Sequence, residues 1–511
     1  MQRTLGLVLD PAEDVPLYQQ LFDRIAERIR SGAFPAGFRL PPSRKLAIEL
    51  GTHRNTVVRA YSELERSGFL SSTVGRGTFV RAQPIAAVPS VAPAAASGRE
   101  GAMPWGSLVS ARARAEPFTR FHRITRSAGR GELINLTRMQ PGPDLVPDEL
   151  FRRCLEHVMR TVGPRALGYA PHEGVPRLRE RIAADLVRQG VPARPDDVLV
   201  TSGSQQAIDV IARGLVDDGD VVLAQESTYT GAIQIFAAAG GRLCGVPSDA
   251  QGPDMAWLRN LGRAKAIYLM PNHCNPTGAC ISAERRGEIV AWSRETGTPI
   301  VEDDYAADLE LEDVAAPPAM RALDGDVIYV GTFSKKLIPA LRIGFLLCPP
   351  SLAPQLVALK HATDLGTSGL LQHALAEFLE RGYLAAHLNR VRAEYRARRD
   401  ALVTALRKEL PRSVRFDVPA RGTTLWLELP EDLEPEAVFE EARRRGVLVS
   451  PGTLHRVDRT TIGARSGVRL VFCYEPTARL VEGAKRLGQA FDALAARKPR
   501  RGAIGETFGI V

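Results

Sequence analysis

Nowhere in the 511-residue chain is there an uninterrupted apolar run of the ~20 residues that a membrane-spanning helix needs. The opening "MQRTLGLVLDPAED" meets acidic residues too early for a secretory signal. Six cysteines lie scattered at 154, 244, 274, 280, 348 and 473 with no CxxC pair, which argues against a disulfide framework or a zinc site and for reduced thiols in a cytoplasmic protein. No metal site is expected. No repeat of solenoid period is present. What remains is an ordinary globular composition, 44% hydrophobic and 24% charged, at a length that predicts two to four domains. The net charge of +9 is unevenly spread: residues 1–81 hold twelve basic against eight acidic side chains. Such an excess fits an anionic partner or simply a solvated surface.

Charge is also absent from "QPIAAVPSVAPAAAS", residues 83–97, whose prolines and alanines have no amphipathic period and read as a linker. The expected organisation is a small domain over 1–81, a linker over 82–129, a large domain over 130–497 and a basic tail over 498–511.

In the small domain, Leu17, Leu21, Ile25 and Ile29 form one apolar helical stripe. A second helix is predicted after Pro42 with Ser43 able to cap it, and Gly51 separates it from a third that carries Val57, Tyr61 and Leu64 inward. Two short helices joined in this way match a helix-turn-helix, and "FLSSTVGRGTFV" reads as a hairpin wing. His53, Arg54, Asn55 and Thr56 open the third helix, where side chains enter a DNA major groove. Arg44 and Arg59 suit phosphates, and Arg76, between two glycines, suits a minor groove or the backbone. The alternative is a helical interaction module with solvated arginines. With these residues in this order, 16–80 resembles the winged helix-turn-helix of GntR regulators; the departure is Thr52-His53, where Val-Ser is usual.

Beyond residue 130, apolar runs ("DDVLVTSG", "VVLAQEST", "AKAIYLMPN", "GTPIVEDDY", "DVIYVGTF", "IGFLLCP") alternate with helical stretches. This pattern predicts an α/β domain around a mainly parallel or mixed sheet, with a ligand at the strand C-termini. "TSGSQQ" opens a helix whose free amides could hold a phosphate through Ser204 and Gln205. Tyr229 could stack on a ring or belong to the core, and Asn275 sits in a Pro-directed turn. "VEDDY" ends an apolar run with three carboxylates, costly to bury unless a cation such as a protonated pyridine nitrogen pairs with one of them; otherwise it is an exposed acidic loop. In "GTFSKKLIPALRIGF", Thr332, Ser334 and Arg342 offer phosphate ligands beside an amine. Of the two lysines, Lys335 follows the serine directly and is expected to be the reactive one.

These motifs, in order, make 130–497 similar to fold-type I aminotransferases of class I. The resemblance implies pyridoxal 5′-phosphate as cofactor, with Ser204, Gln205, Thr332 and Arg342 on its phosphate and Tyr229 on its ring. It further implies Asn275 and Tyr305 on the ring hydroxyl, Asp303 on the ring nitrogen and Lys335 as Schiff-base lysine. Arg469, in "SGVRLVF", would hold an amino acid's carboxylate, and Tyr169 would reach the neighbouring subunit's cofactor. Arg421-Gly422-Thr423 stands where a Gly-Gly pair is common.

A GntR-like reader joined to such a domain resembles the MocR-type regulators. That implies a cytoplasmic, pyridoxal-phosphate-dependent transcription factor, a head-to-tail homodimer, a DNA operator and a small amino-acid or amine effector. A working aminotransferase with an attached DNA-binding domain is the alternative.

Overall fold

The computed structural model describes residues 16–30, 34, 37–73, 77–81, 103, 105–115, 117–118, 133–457 and 466–497. Arg76 lies outside them. The chain divides into two compact units, Met1–Val109 and Ser110–Val511.

In the first unit, helices α1 (Leu17–Arg30), α2 (Ser43–Glu49) and α3 (Arg54–Arg66) are accompanied by strands β1 (Arg39–Leu40), β2 (Leu70–Thr73) and β3 (Gly77–Val80) in the order β1-β3-β2. Leu21, Ile25 and Ile29 of α1 pack with Leu46, Val57, Tyr61 and Leu64 in one core. β2 and β3 pair antiparallel, Leu70 opposite Val80. Ser43 is the first helical residue of α2; the cap position belongs to Pro42, and no side chain caps the helix.

The second unit is built on a seven-stranded sheet. Its strands are β4 (Val198–Thr201), β5 (Val221–Gln225), β6 (Arg242–Val246), β7 (Ala266–Leu269), β8 (Ile300–Asp303), β9 (Ile328–Thr332) and β10 (Gly344–Leu347), ordered β4-β10-β9-β8-β7-β5-β6. Only β10 runs against the rest, pairing antiparallel with β9 and β4. Val198 and Val200 face one hydrophobic core while Leu199 faces another. Both faces are therefore covered, which is why these strands read as continuous apolar runs rather than alternating ones. A smaller sheet of β11 (Thr424–Glu428), β12 (Ser450–Pro451) and β13 (Gly467–Val471), ordered β11-β13-β12, forms the C-terminal part.

Candidate functional site

Because six strands of the large sheet run in one direction, the segments that follow them emerge at one edge. After β4 comes the 202–205 turn; after β5, Tyr229; after β7, Asn275; after β8, Tyr305; after β9, Lys335. The reversed strand β10 starts at the same edge and brings Arg342 there. These segments enclose a cavity of about 300 Å³ lined by Ser204, Gln205, Tyr229, Asn275, Asp303 and Tyr305, with Lys335 and Arg342.

The two adjacent lysines part company. Lys336 is buried and ion-paired with the largely buried Asp308, and its ammonium lies 5.3 Å from the Phe333 ring centroid. Lys335 lines the cavity, and among the described residues its Nζ donates only to the Met139 carbonyl, at 2.9 Å. Desolvation pulls the Lys335 ammonium below its ordinary range, so it yields a proton more readily.

All three carboxylates after β8's apolar start are buried, so this is no exposed acidic loop. Glu302 accepts the backbone N–H groups of Met320 and Arg321 at 2.9 and 2.8 Å. Asp304 accepts from Asn272 and Tyr329. Asp303 faces the cavity: its Oδ2 accepts from Tyr268 at 2.6 Å, while its Oδ1 is buried without a partner. Burial pushes the Asp303 carboxyl up to about 7. The Tyr305 hydroxyl is likewise buried and unpartnered.

Arg469 on β13 donates to Asn275 Oδ1 at 2.7 Å and to the Thr137 carbonyl at 3.2 Å. No carboxylate pairs with it among the described residues, and burial lowers its guanidinium to about 10. Tyr229 donates to Gln205 Oε1 at 2.7 Å. Helix α4 (Ser204–Leu215) begins at the cavity with its first amides free of intrahelical partners. Gly203, at φ 84°, is required there: a Cβ on it would come within 2.8 Å of Arg342 Nη2. Arg342 in turn donates to the Ser202 carbonyl at 3.1 Å.

Three expected residues do not line this cavity: Arg469, which lies behind Asn275, Thr332 and Tyr169. Thr332 is buried and accepts the Ser334 N–H at 3.2 Å, and it is Ser334 that lines the wall. Tyr169 is 87% exposed, on a separate surface hollow with residues 366–370. Sequence reasoning missed Met139, which accepts from both Lys335 and Arg469, along with Tyr268 and Met270. Tyr268 had a signal, a polar hydroxyl inside the apolar run "AIYL"; Met139 acts through its carbonyl and sulfur and had none.

In the first unit, Arg44, His53, Arg54, Asn55 and Arg59 are exposed and Thr56 is half-buried. His53 holds the cap position of α3, so Arg54, Asn55 and Thr56 form its first turn. The Arg59 guanidinium lies 3.6 Å from the Tyr18 ring centroid, a cation–π contact.

Two family models match. Bacterial regulatory proteins of the gntR family match residues 17–80, and aminotransferase class I and II matches residues 145–487. The HTH-type transcriptional regulator YisV of Bacillus subtilis, itself uncharacterized, is 32% identical over 92% of this chain and 95% of its own. The probable rhizopine catabolism regulatory protein MocR of Rhizobium meliloti is 35% identical over 87% and 88%. Among solved structures, the alpha-aminoadipate aminotransferase LysN of Thermus thermophilus, complexed with N-(5'-phosphopyridoxyl)-L-leucine, covers 77% of this chain and all of its own at 32% identity and TM-score 0.70.

Proposed function

The chain belongs to the MocR-type GntR regulators, DNA-binding transcriptional regulators with an aminotransferase-like, pyridoxal-phosphate-binding domain, and from that premise we propose that it senses a small amine carrying a carboxylate through the cavity around Lys335. The observation that carries this reading is the pairing of a desolvated, carboxylate-free lysine amine with an unpartnered aspartate oxygen in one cavity.

The cofactor fits what the cavity leaves open. Asp303 Oδ1 and the Tyr305 hydroxyl are buried polar atoms that need partners. A protonated ring nitrogen answers the first and a ring hydroxyl the second. Ser204, Gln205 and Arg342 provide amides, a hydroxyl and a guanidinium for a phosphate. When bound, pyridoxal phosphate supplies an aldehyde that condenses with primary amines and an electron-withdrawing ring.

Each protein group then has a task. Asp303 holds a proton at the ring nitrogen, and that charge compensates its own burial. Tyr229 stacks on the ring. Arg469 has already engaged Asn275 Oδ1, which leaves the Asn275 amide free to donate to the ring hydroxyl. Lys335, whose ammonium yields its proton more readily because burial disfavours the charge, offers its Nζ as nucleophile. Arg469 receives the effector's carboxylate; a buried guanidinium with no carboxylate partner binds an anion strongly.

The reading extends to assembly and control. The exposed apolar side chains Leu167, Tyr169 and Leu365 support a homodimer, head to tail, in which Tyr169 meets the partner's cofactor. Arg44, His53, Arg54, Asn55, Thr56 and Arg59 contact operator DNA in the cytoplasm. The effector must bind the DNA-competent and incompetent states unequally for control to follow.

The test is a titration of the cofactor-loaded protein with a panel of amino acids, followed by cofactor absorbance and by operator binding in parallel. One amine that changes both, with no amino acid consumed, is the expected result. A second reading, a working aminotransferase with an attached DNA reader, is favoured by the complete set of polar groups in the cavity. Release of the oxo acid over many turnovers, with operator binding unchanged, would establish it instead.

A further inference from the structure

A second cavity, of about 340 Å³, lies beside the first and takes no part in the reading above. Its volume falls within the range of small-molecule pockets and far exceeds the roughly 30 Å³ of a water molecule. Four carboxylates line it, Glu226, Asp249, Asp417 and Glu428, and among the described residues no lysine or arginine does. Asp249 is paired with Arg285 at 3.1 Å and Glu428 with the exposed Arg415 at 3.4 Å. Asp417 forms no ion pair among the described residues.

Acidic lining alone would mean little, but two more observations point to a ligand. Gln225 and Trp426 both line the cavity and are only 4% and 6% exposed. Gln225 Oε1 and Trp426 Nε1 are both buried without a hydrogen-bond partner among the described residues. Buried polar atoms left unpaired are costly, so a donor for the first and an acceptor for the second would each stabilise the site. Two aromatic side chains, Phe416 and Trp426, also line it, and aromatic rings attract cations. A metal ion is a poor match: among the described residues no three His, Cys, Asp or Glu groups are placed to hold one.

We infer that this cavity binds a small organic ammonium ion, its N–H donating to Gln225 Oε1 and an oxygen of the same molecule accepting from Trp426 Nε1. Three junctions set the site against the cofactor cavity. Cys274 and Thr277 line the second cavity while Asn275 between them lines the first. Ser227 faces one and Tyr229 the other. Trp426 lies directly opposite Arg469 in the β11–β13 pair.

The probe is N,N-dimethylethanolamine, a tertiary ammonium with a hydroxyl, which cannot form a carbon–nitrogen double bond with the cofactor's aldehyde. Calorimetric titration of the full-length, cofactor-loaded protein should show one saturable site per chain. Gln225→Leu and Trp426→Phe should each weaken binding about tenfold, with cofactor absorbance confirming that both variants are folded. Lys335→Ala should leave it intact, because the site does not depend on the cofactor chemistry. Absence of saturable binding would overturn the inference. So would binding indifferent to both substitutions, or binding lost with Lys335→Ala.

Discussion

The two functional regions of this protein use charge in opposite ways. On the reader, Arg44, His53, Arg54, Asn55 and Arg59 are exposed. In and behind the cavity, Asp303, Lys335 and the Arg469 that bonds Asn275 are desolvated and shifted toward neutrality: Asp303 upward to about 7, Arg469 down to about 10, Lys335 downward. A reader of phosphates needs full charges in water, where affinity comes from released counterions and falls with salt. A site that traps an amine needs a nucleophile that gives up its proton readily, and burial beside the cationic Arg469 and Arg342 shifts Lys335 that way. Salt should therefore govern the first region and pH the second.

The adjacent lysines offer the sharpest way to break that contrast. Lys335→Ala should abolish the amine-dependent change in cofactor absorbance and in operator binding, while DNA affinity without effector persists. Unchanged effector response in this variant would end the sensing model. Lys336→Met should do the reverse. It strands the buried Asp308 carboxylate, which is itself pushed up by burial but held below its ordinary value by Lys336. Denaturant unfolding should show a loss of about 3 kcal/mol, with cofactor absorbance retained.

Asp303 makes the pH half of the contrast measurable. In the cofactor-free protein its folded value, about 7, stands above its ordinary 3.8. Between those values the folded state holds a proton that the unfolded state has lost. Its contribution to stability is therefore full below about pH 4 and lost as pH rises through 7, opposite to an ion-paired aspartate. Asp303→Asn should flatten the melting temperature of the cofactor-free protein across that window, and a parallel curve for both proteins would contradict the assignment.

The reader's effects are smaller. Arg54→Ala should weaken operator binding about tenfold and relax preference at one base position, read by gel shift on permuted operators. Arg59→Ala should lower the slope of log affinity against log salt by about one unit if its guanidinium reaches a phosphate. Because Arg59 stacks on Tyr18, an unchanged slope would assign it to packing instead.

Much of this was legible before folding. The six apolar runs quoted from the large domain all became strands, since a sheet covered on both faces demands continuous apolar sequence. The seventh, Arg242–Val246, stood out less: it follows two glycines, contains another and opens on a charged residue. Spacing around Gly51 identified the helix-turn-helix because turn chemistry is local. A cap by Ser43 did not form, since Pro42 occupies the cap position.

Order along the chain thus determined the two modules, the family and the polar residues that could serve a cofactor, because local periodicity and turn chemistry act over a few residues. Tertiary structure alone decided which of those groups are left without partners. Lys335 and Lys336 are neighbours of one residue type, and their fates differ only because Asp308 meets one and a cavity meets the other. The second cavity, too, is assembled from segments some 200 residues apart, from Gln225 to Trp426. Desolvation and unpaired polar atoms are properties of an enclosure, and an enclosure exists only once distant segments have packed.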